Sequence, residues 1–194
     1  PWQAQAQLAS GAFDRQLQRN LLLGHLRDAV ATQVSGTYDN AVLELGRRFD
    51  AGGASVVPYL GTQYTRVRND GFAESGVSGF GLQAQAWERQ RWQGFAGLRA
   101  ERGVSLGGLD LRANARAEWQ RLLGAKGDAF AASFTGVELF SPLQGMGLAS
   151  QQRVLGLGLS TVFAQRAMFR FDLGHRATAL GDEGTASLQA VLAF

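Results

Sequence analysis

Seven charged side chains carry whatever chemistry this sequence has: Glu44, Arg99, Arg112, Arg116, Glu118, Arg170 and Asp172. Each alternates with apolar neighbours, so in an extended segment each lies opposite an apolar face. Acids and bases mixed on one face, with no nucleophile among them, do not make a catalyst. They make an internal ion-pair network that holds a shape, or a hydrated surface along which an extended chain slides without sticking. The two readings are compatible.

Other chemistry is thin. His25 and His175 have no carboxylate or second histidine at metal-ligand spacing, and no Gly-x-Ser-x-Gly elbow announces a serine triad. Gly156-x-Gly158 lacks the third glycine and the following helix of a nucleotide site. Trp87-Glu-Arg-Gln-Arg-Trp92 mixes aromatic and basic residues as a single-strand nucleic-acid surface would. An aromatic girdle at the rim of a membrane barrel accounts for it better, with Trp92 and Trp119 as interfacial residues. The sequence predicts no enzyme, no cofactor, no metal and no nucleic-acid partner.

What positions the charges is a repeat of period two. Leu109, Leu111, Ala113, Ala115, Ala117 and Trp119 share one face, against Asp110, Arg112, Asn114, Arg116, Glu118 and Gln120. A helix would scatter these sets around its axis, so the segment is a strand. Trp2 to Leu8, Leu155 to Ser160 and Ala167 to Gly174 alternate in the same way. Ala41, Leu43, Leu45 and Phe49 do so less cleanly, because Arg47 shares their face. Its long stem could snorkel to an interface beside the Asp50–Gly53 turn.

Composition fits strands that face lipid on one side. The chain has 26 Gly, 12 Phe, 4 Trp, 3 Pro and no Cys in 194 residues, a net charge of +3 and a mean hydropathy of −0.10. A membrane barrel averages near neutral because lipid-facing and lumen-facing residues alternate. No run approaches the ~20 apolar residues of a membrane-spanning helix. Absence of cysteine excludes disulfides and thiolate metal sites, and suits passage through an oxidising compartment. An arginine facing lipid at the midplane would cost about 2–4 kcal/mol, which assigns the charged face inward.

Turn signals at 50–53, 103–108 and 165–166 alternate with longer polar connections at 24–28, 69–79, 124–128 and 181–184. They divide the chain into eight strands: 2–19, 28–50, 55–68, 80–102, 109–123, 129–164, 167–179 and 185–194. Phe140-Ser-Pro142 must break or bulge the sixth. The fold class expected is all-β, an antiparallel transmembrane β-barrel.

The last strand puts Leu188, Ala190, Leu192 and the terminal Phe194 on one face. Outer-membrane barrels end this way, and their assembly machinery reads such a strand. Val57-Pro-Tyr-Leu-Gly-Thr-Gln-Tyr-Thr-Arg-Val-Arg-Asn-Asp-Gly-Phe-Ala-Glu-Ser-Gly76 resembles the translocator domain of the autotransporters, the type V secretion proteins of Gram-negative bacteria. Gly97-Leu-Arg-Ala-Glu101, Ala117-Glu-Trp-Gln-Arg121, Ala132-Ser-Phe-Thr-Gly136, Gly156-Leu-Gly-Leu159 and Phe194 extend the resemblance along the whole chain.

The resemblance implies an outer-membrane translocator and anchor that exports its own N-terminal passenger. Its partners would be outer-membrane lipid, the barrel-assembly machinery and the passenger. Gly79-Phe-Gly-Leu82 and Ser133-Phe-Thr-Gly136 look most like members with subtilisin-like protease passengers. The family's barrel has twelve strands and a helix through its lumen. Eight strands and no helix-forming segment are read here, and Pro1-Trp2 enters a strand without a signal peptide. Residues 1–194 therefore read as one barrel domain truncated on its N-terminal side. Two alternatives stay open: a closed eight-stranded outer-membrane barrel acting as adhesin or structural anchor, and a soluble ligand-binding barrel of the lipocalin type. The last would turn Arg112, Arg116 and Glu118 outward and Leu109, Leu111 and Trp119 inward.

Overall fold

The computed structural model describes residues 1–23, 26–75, 81–137, 139–145, 149–163 and 167–192. Every helix or strand among them is a strand: β1 (Trp2–Leu23), β2 (Leu26–Arg47), β3 (Phe49–Ala51), β4 (Ala54–Asn69), β5 (Phe72–Ala73), β6 (Leu82–Ala84) and β7 (Trp87–Leu106). They are followed by β8 (Leu109–Lys126), β9 (Ala129–Phe134), β10 (Ser141–Gln144), β11 (Gln151–Phe163), β12 (Ala167–Thr178) and β13 (Gly181–Leu192).

The long strands form one antiparallel sheet in the order β1-β2-β4-β7-β8-β11-β12-β13, with β3 added beside β4. The sheet is strongly curled. β1 and β13 stand at the two ends of the pairing order. Local sequence explains the hairpins. Gly52 and Gly53 have φ of 58° and 80°, and Gly107 and Gly108 have 59° and 81°. Two consecutive left-handed residues make the two-residue turn whose twist matches antiparallel strands, and glycine adopts it without strain. Pro58, which has no N–H to give, falls opposite Arg47, in the gap between the β2–β4 and β3–β4 ladders.

Several strands far exceed a bilayer. At about 3.4 Å per residue, the 22 residues of β1 reach about 75 Å. Only its first part, Trp2 to Leu8, carries the apolar face; Ser10 on that face donates to Asp39 at 2.8 Å, and polar residues follow.

The remaining strands form a second sheet, β10-β9-β6-β5, built from the connections 70–86 and 127–150. Trp87 stacks on Phe130 at 5.2 Å and meets Phe72 edge-on at 6.2 Å, joining the two sheets. Ala31 and Ser75 exchange backbone hydrogen bonds of 3.0 and 2.9 Å, which ties the same connection to β2. Val30, Thr32 and Val34 are buried there.

This second sheet corrects several expected boundaries. The expected sixth strand, 129–164, is three: β9 and β10 belong to the second sheet and only β11 joins the main one. The expected fourth strand, 80–102, begins at Trp87 and runs to Leu106, while Leu82–Ala84 pairs elsewhere. No long connection occupies 181–184, because β13 starts at Gly181 across from Thr178. β1 runs to Leu23 and β2 begins at Leu26, so the 24–28 connection also shrinks. Trp87 is a seam residue between the sheets rather than part of an aromatic girdle.

Candidate functional site

The strand registers decide which side chains share a face. Gly46, Tyr59, Gly97, Glu118 and Val154 form one row across β2, β4, β7, β8 and β11; Glu44, Gly61, Phe95, Gln120 and Gln152 form the next on the same face. By alternation from these rows, Glu44, Arg99, Arg112, Arg116, Glu118, Arg170 and Asp172 all lie on this polar face.

Its centre is a tightly connected cluster. The Arg99 guanidinium grips Glu44 with two bonds, Nη1 to Oε1 at 2.6 Å and Nη2 to Oε2 at 2.5 Å, reaching over β4 to do so. The same guanidinium lies 3.9 Å above the Tyr59 ring. Tyr59 Oη donates to Glu118 Oε2 at 2.7 Å and accepts from Arg116 Nε at 3.0 Å. Arg116 Nη2 donates to the same Glu118 oxygen at 2.5 Å, and Gln120 covers the other oxygen. Gln152 donates in turn to Gln120. A carboxylate buried this deeply persists only because both oxygens are met by charged or polar donors. The Glu118 side chain is 1% exposed.

Glycine makes the cluster possible. Tyr59 lies across Gly97 to reach Glu118, and a Cβ at Gly97 would stand 2.5 Å from Tyr59 Oη. Phe95 lies over Gly61 in the same manner, its Cζ 2.3 Å from where a Cβ would be. Side chains that span two strands in this way require a sheet curled toward the polar face.

Elsewhere on this face Arg112 pairs with Glu101 at 3.1 Å and Arg170 with Asp172 at 2.7 Å. Gln5, Gln7, Gln63 and Phe95 join the central cluster around a polar cavity of about 190 Å³. The second sheet folds over the upper end of the face, where Arg89 meets Asp128 at 3.5 Å and Thr32 Oγ1 donates to the Ala73 carbonyl at 3.2 Å.

The other face is apolar and open. Along β11, Leu155, Leu157 and Leu159 are 52%, 62% and 42% exposed, while Gly156, Gly158 and Ser160 between them are partly buried. Leu188, Ala190 and Leu192 continue this face on β13; Phe194 lies outside the described residues, as does His25. The apolar series ends at Tyr64, Trp92 and Trp119. Beyond Tyr64 and Trp92 come Arg66 and Arg68, both paired with Glu88 at 2.5 and 3.1 Å. Trp92 Nε1 donates to Thr62 Oγ1 at 2.5 Å, and Trp119 Nε1 to Gln151 Oε1 at 3.4 Å. Arg47 ends β2 with its guanidinium 5.6 Å from the Trp2 ring and 5.1 Å from the Phe49 ring.

Sequence reasoning missed Tyr59, Gly97 and Glu101. Tyr59 and Gly97 do sit at polar-face positions of their strands, but only the β4–β7 register reveals that one covers the other.

A family model described as Autotransporter beta-domain matches residues 1–174. No curated protein matches the chain.

Proposed function

Because this chain belongs to the autotransporter β-domain family, outer-membrane translocators of Gram-negative bacteria, we propose that it carries its own N-terminal passenger to the cell surface and anchors in the membrane that the passenger crosses. The supporting observation is the inversion of the sheet: leucines stand open on one face while the Glu118 carboxylate is closed in on the other. That distribution is unfavourable in water and favourable in lipid around a wet interior.

In this reading Glu44, Arg99, Arg112, Arg116, Glu118, Arg170 and Asp172 face the lumen. Their charges are largely paired with one another, so an extended polypeptide meets a hydrated surface without a strong net attraction. Trp92 and Trp119 sit at the headgroup level. Backbone groups on the outer edges of β1 and β13 need partners in a bilayer. We assign those partners to further strands of the same protein, with residues 1–194 as one part of its barrel domain. The barrel is not itself catalytic; any protease activity, including the subtilisin-like activity suggested by the sequence, belongs to the passenger. Folding of the passenger outside discourages its return.

The last strand supplies the assembly signal, Leu188, Ala190, Leu192 and Phe194, to the barrel-assembly machinery. Partial burial of one terminal aromatic contributes at most about 1.5–3 kcal/mol, small beside a closed hydrogen-bonded seam. Deleting Phe194 from the full-length protein should therefore remove tagged passenger from the surface of intact cells, measured by protease accessibility, while unassisted refolding into detergent stays near normal. Normal surface passenger in the variant would contradict the assembly role. A wild-type passenger that never becomes accessible would contradict export.

A further inference from the structure

The lipid-side face contains a valley of about 900 Å³, walled by Trp2, Leu45, Phe49, Trp119 and Leu155. Its floor is low because Ala96 and Ala117 occupy neighbouring outward positions of β7 and β8. A cation stands at each end, and the two differ. Arg47 is engaged by the rings of Trp2 and Phe49. Arg153 at the other end has no hydrogen bond or ion pair among the described residues, and neither has Arg121, its diagonal neighbour across the β8–β11 ladder.

The neighbours explain why. Arg153 lies across from Trp119 and Ala177, and Arg121 across from Gly94 and Gln151, so no carboxylate stands beside either. The other titratable group near Arg153 on this face is His175, diagonal to it on β12. Both arginines are exposed where the apolar series ends, Arg153 level with Trp119 and Arg121 one outward position beyond it. Four arginines of the polar face, by contrast, have carboxylate partners: Arg99, Arg112, Arg116 and Arg170.

A guanidinium at an apolar boundary is stabilised by an anion that it can hold with two parallel hydrogen bonds, and phosphate has that geometry. Two adjacent guanidiniums match a doubly charged phosphomonoester better than a singly charged phosphodiester. We propose that Arg121, Arg153 and the valley form a binding site for a membrane lipid with a phosphomonoester headgroup. The phosphate sits between the two guanidiniums, and an acyl chain runs down the valley past Leu155, Ala117 and Leu60. The proposal rests on the membrane reading above, which heat-modifiable migration on a gel tests separately.

The test is equilibrium binding of labelled lipids to the full-length protein in detergent micelles. Phosphatidic acid should bind at least about tenfold more tightly than phosphatidylglycerol or phosphatidylcholine, as expected for one added charge-assisted contact. The double variant Arg121→Gln/Arg153→Gln should lose that preference. Ala117→Leu, which fills the valley floor and leaves both arginines in place, should weaken phosphatidic acid binding as well. Equal affinity for phosphatidic acid and phosphatidylglycerol would overturn the assignment, as would wild-type binding by the double variant. Inorganic phosphate carries the same anion without a chain; competition by it at matching concentration would overturn the role of the valley.

Discussion

Substituting Gly97 by alanine should destabilise the barrel through a residue on another strand. The new Cβ would stand 2.5 Å from Tyr59 Oη, 2.6 Å from Cζ and 2.7 Å from the Ala117 carbonyl oxygen. The carbonyl is part of the β8 ladder and is held in place. The ring is the group able to move, and it moves away from the sheet. Doing so breaks the 2.7 Å bond to Glu118 and the 3.0 Å bond from Arg116, and withdraws the ring from Arg99. A hydrogen bond to a charged group contributes about 1.5–3 kcal/mol. A cation over an aromatic face adds about 0.5–2 kcal/mol. The combined loss is about 2–4 kcal/mol, since Arg99 keeps Glu44 and Glu118 keeps Arg116. Denaturant unfolding of the refolded barrel, followed by the gel shift between folded and unfolded forms, measures it. Tyr59→Ala completes a cycle: if Gly97→Ala acts through the ring, it adds little in that background. A Gly97→Ala barrel within about 0.5 kcal/mol of wild type would refute the reasoning, as would an undiminished effect in the absence of the ring.

Leu111→Arg or Ala113→Arg should impair insertion into lipid vesicles by about 2–4 kcal/mol near the midplane, and Arg112→Leu should be tolerated. Arg116→Leu should cost more than Arg112→Leu, because it strands the closed-in Glu118 carboxylate, whereas Arg112 is 70% exposed; folded yields of the four variants that rank otherwise would contradict the face assignment. At the rim, burial pushes the Glu74 carboxyl up, but hydrogen bonds from Arg19 at 2.6 Å and the Leu82 N–H at 2.8 Å outweigh it and hold the group below its ordinary value. A depressed carboxyl pKa stabilises the folded contact above the ordinary carboxylate range, and that contribution is lost as pH falls through the folded value. Protection of the amides in the connection 70–75, taken against the intrinsic exchange rate at each pH, should therefore fall as pH drops through the folded Glu74 value, and Glu74→Gln should show the lower protection already at neutral pH. Protection that stays constant with pH in the wild type would remove this contact as the clasp.

Much of the fold is legible in the chain because period two is a local property. Trp2 to Leu8 and Leu109 to Trp119 declare strands and sort their residues onto two faces without reference to anything else. The same locality set the errors. Ala129–Phe134 alternates like a membrane strand, and nothing within it says that its partners are β6 and β10 rather than β8. Strand pairing is a long-range choice, made here by the way two connections fold over the upper end of the sheet.

The charged residues of the site divide in the same way. That Arg112, Arg116 and Glu118 share a face follows from spacing alone. The pairing of Arg116 with Glu118 is just as local, two residues apart on β8, but that Arg112 takes Glu101, that Tyr59 reaches Glu118 and that Arg99 reaches across β4 to Glu44 follows from registers and curl. The sign of the faces is the deepest case. Alternation is symmetric, so an apolar face inside and a polar face outside would print the same letters. The curl breaks that symmetry. By bending toward Tyr59 and Glu118 it brings side chains two strands apart into contact, closes the polar face in and leaves the leucines outside.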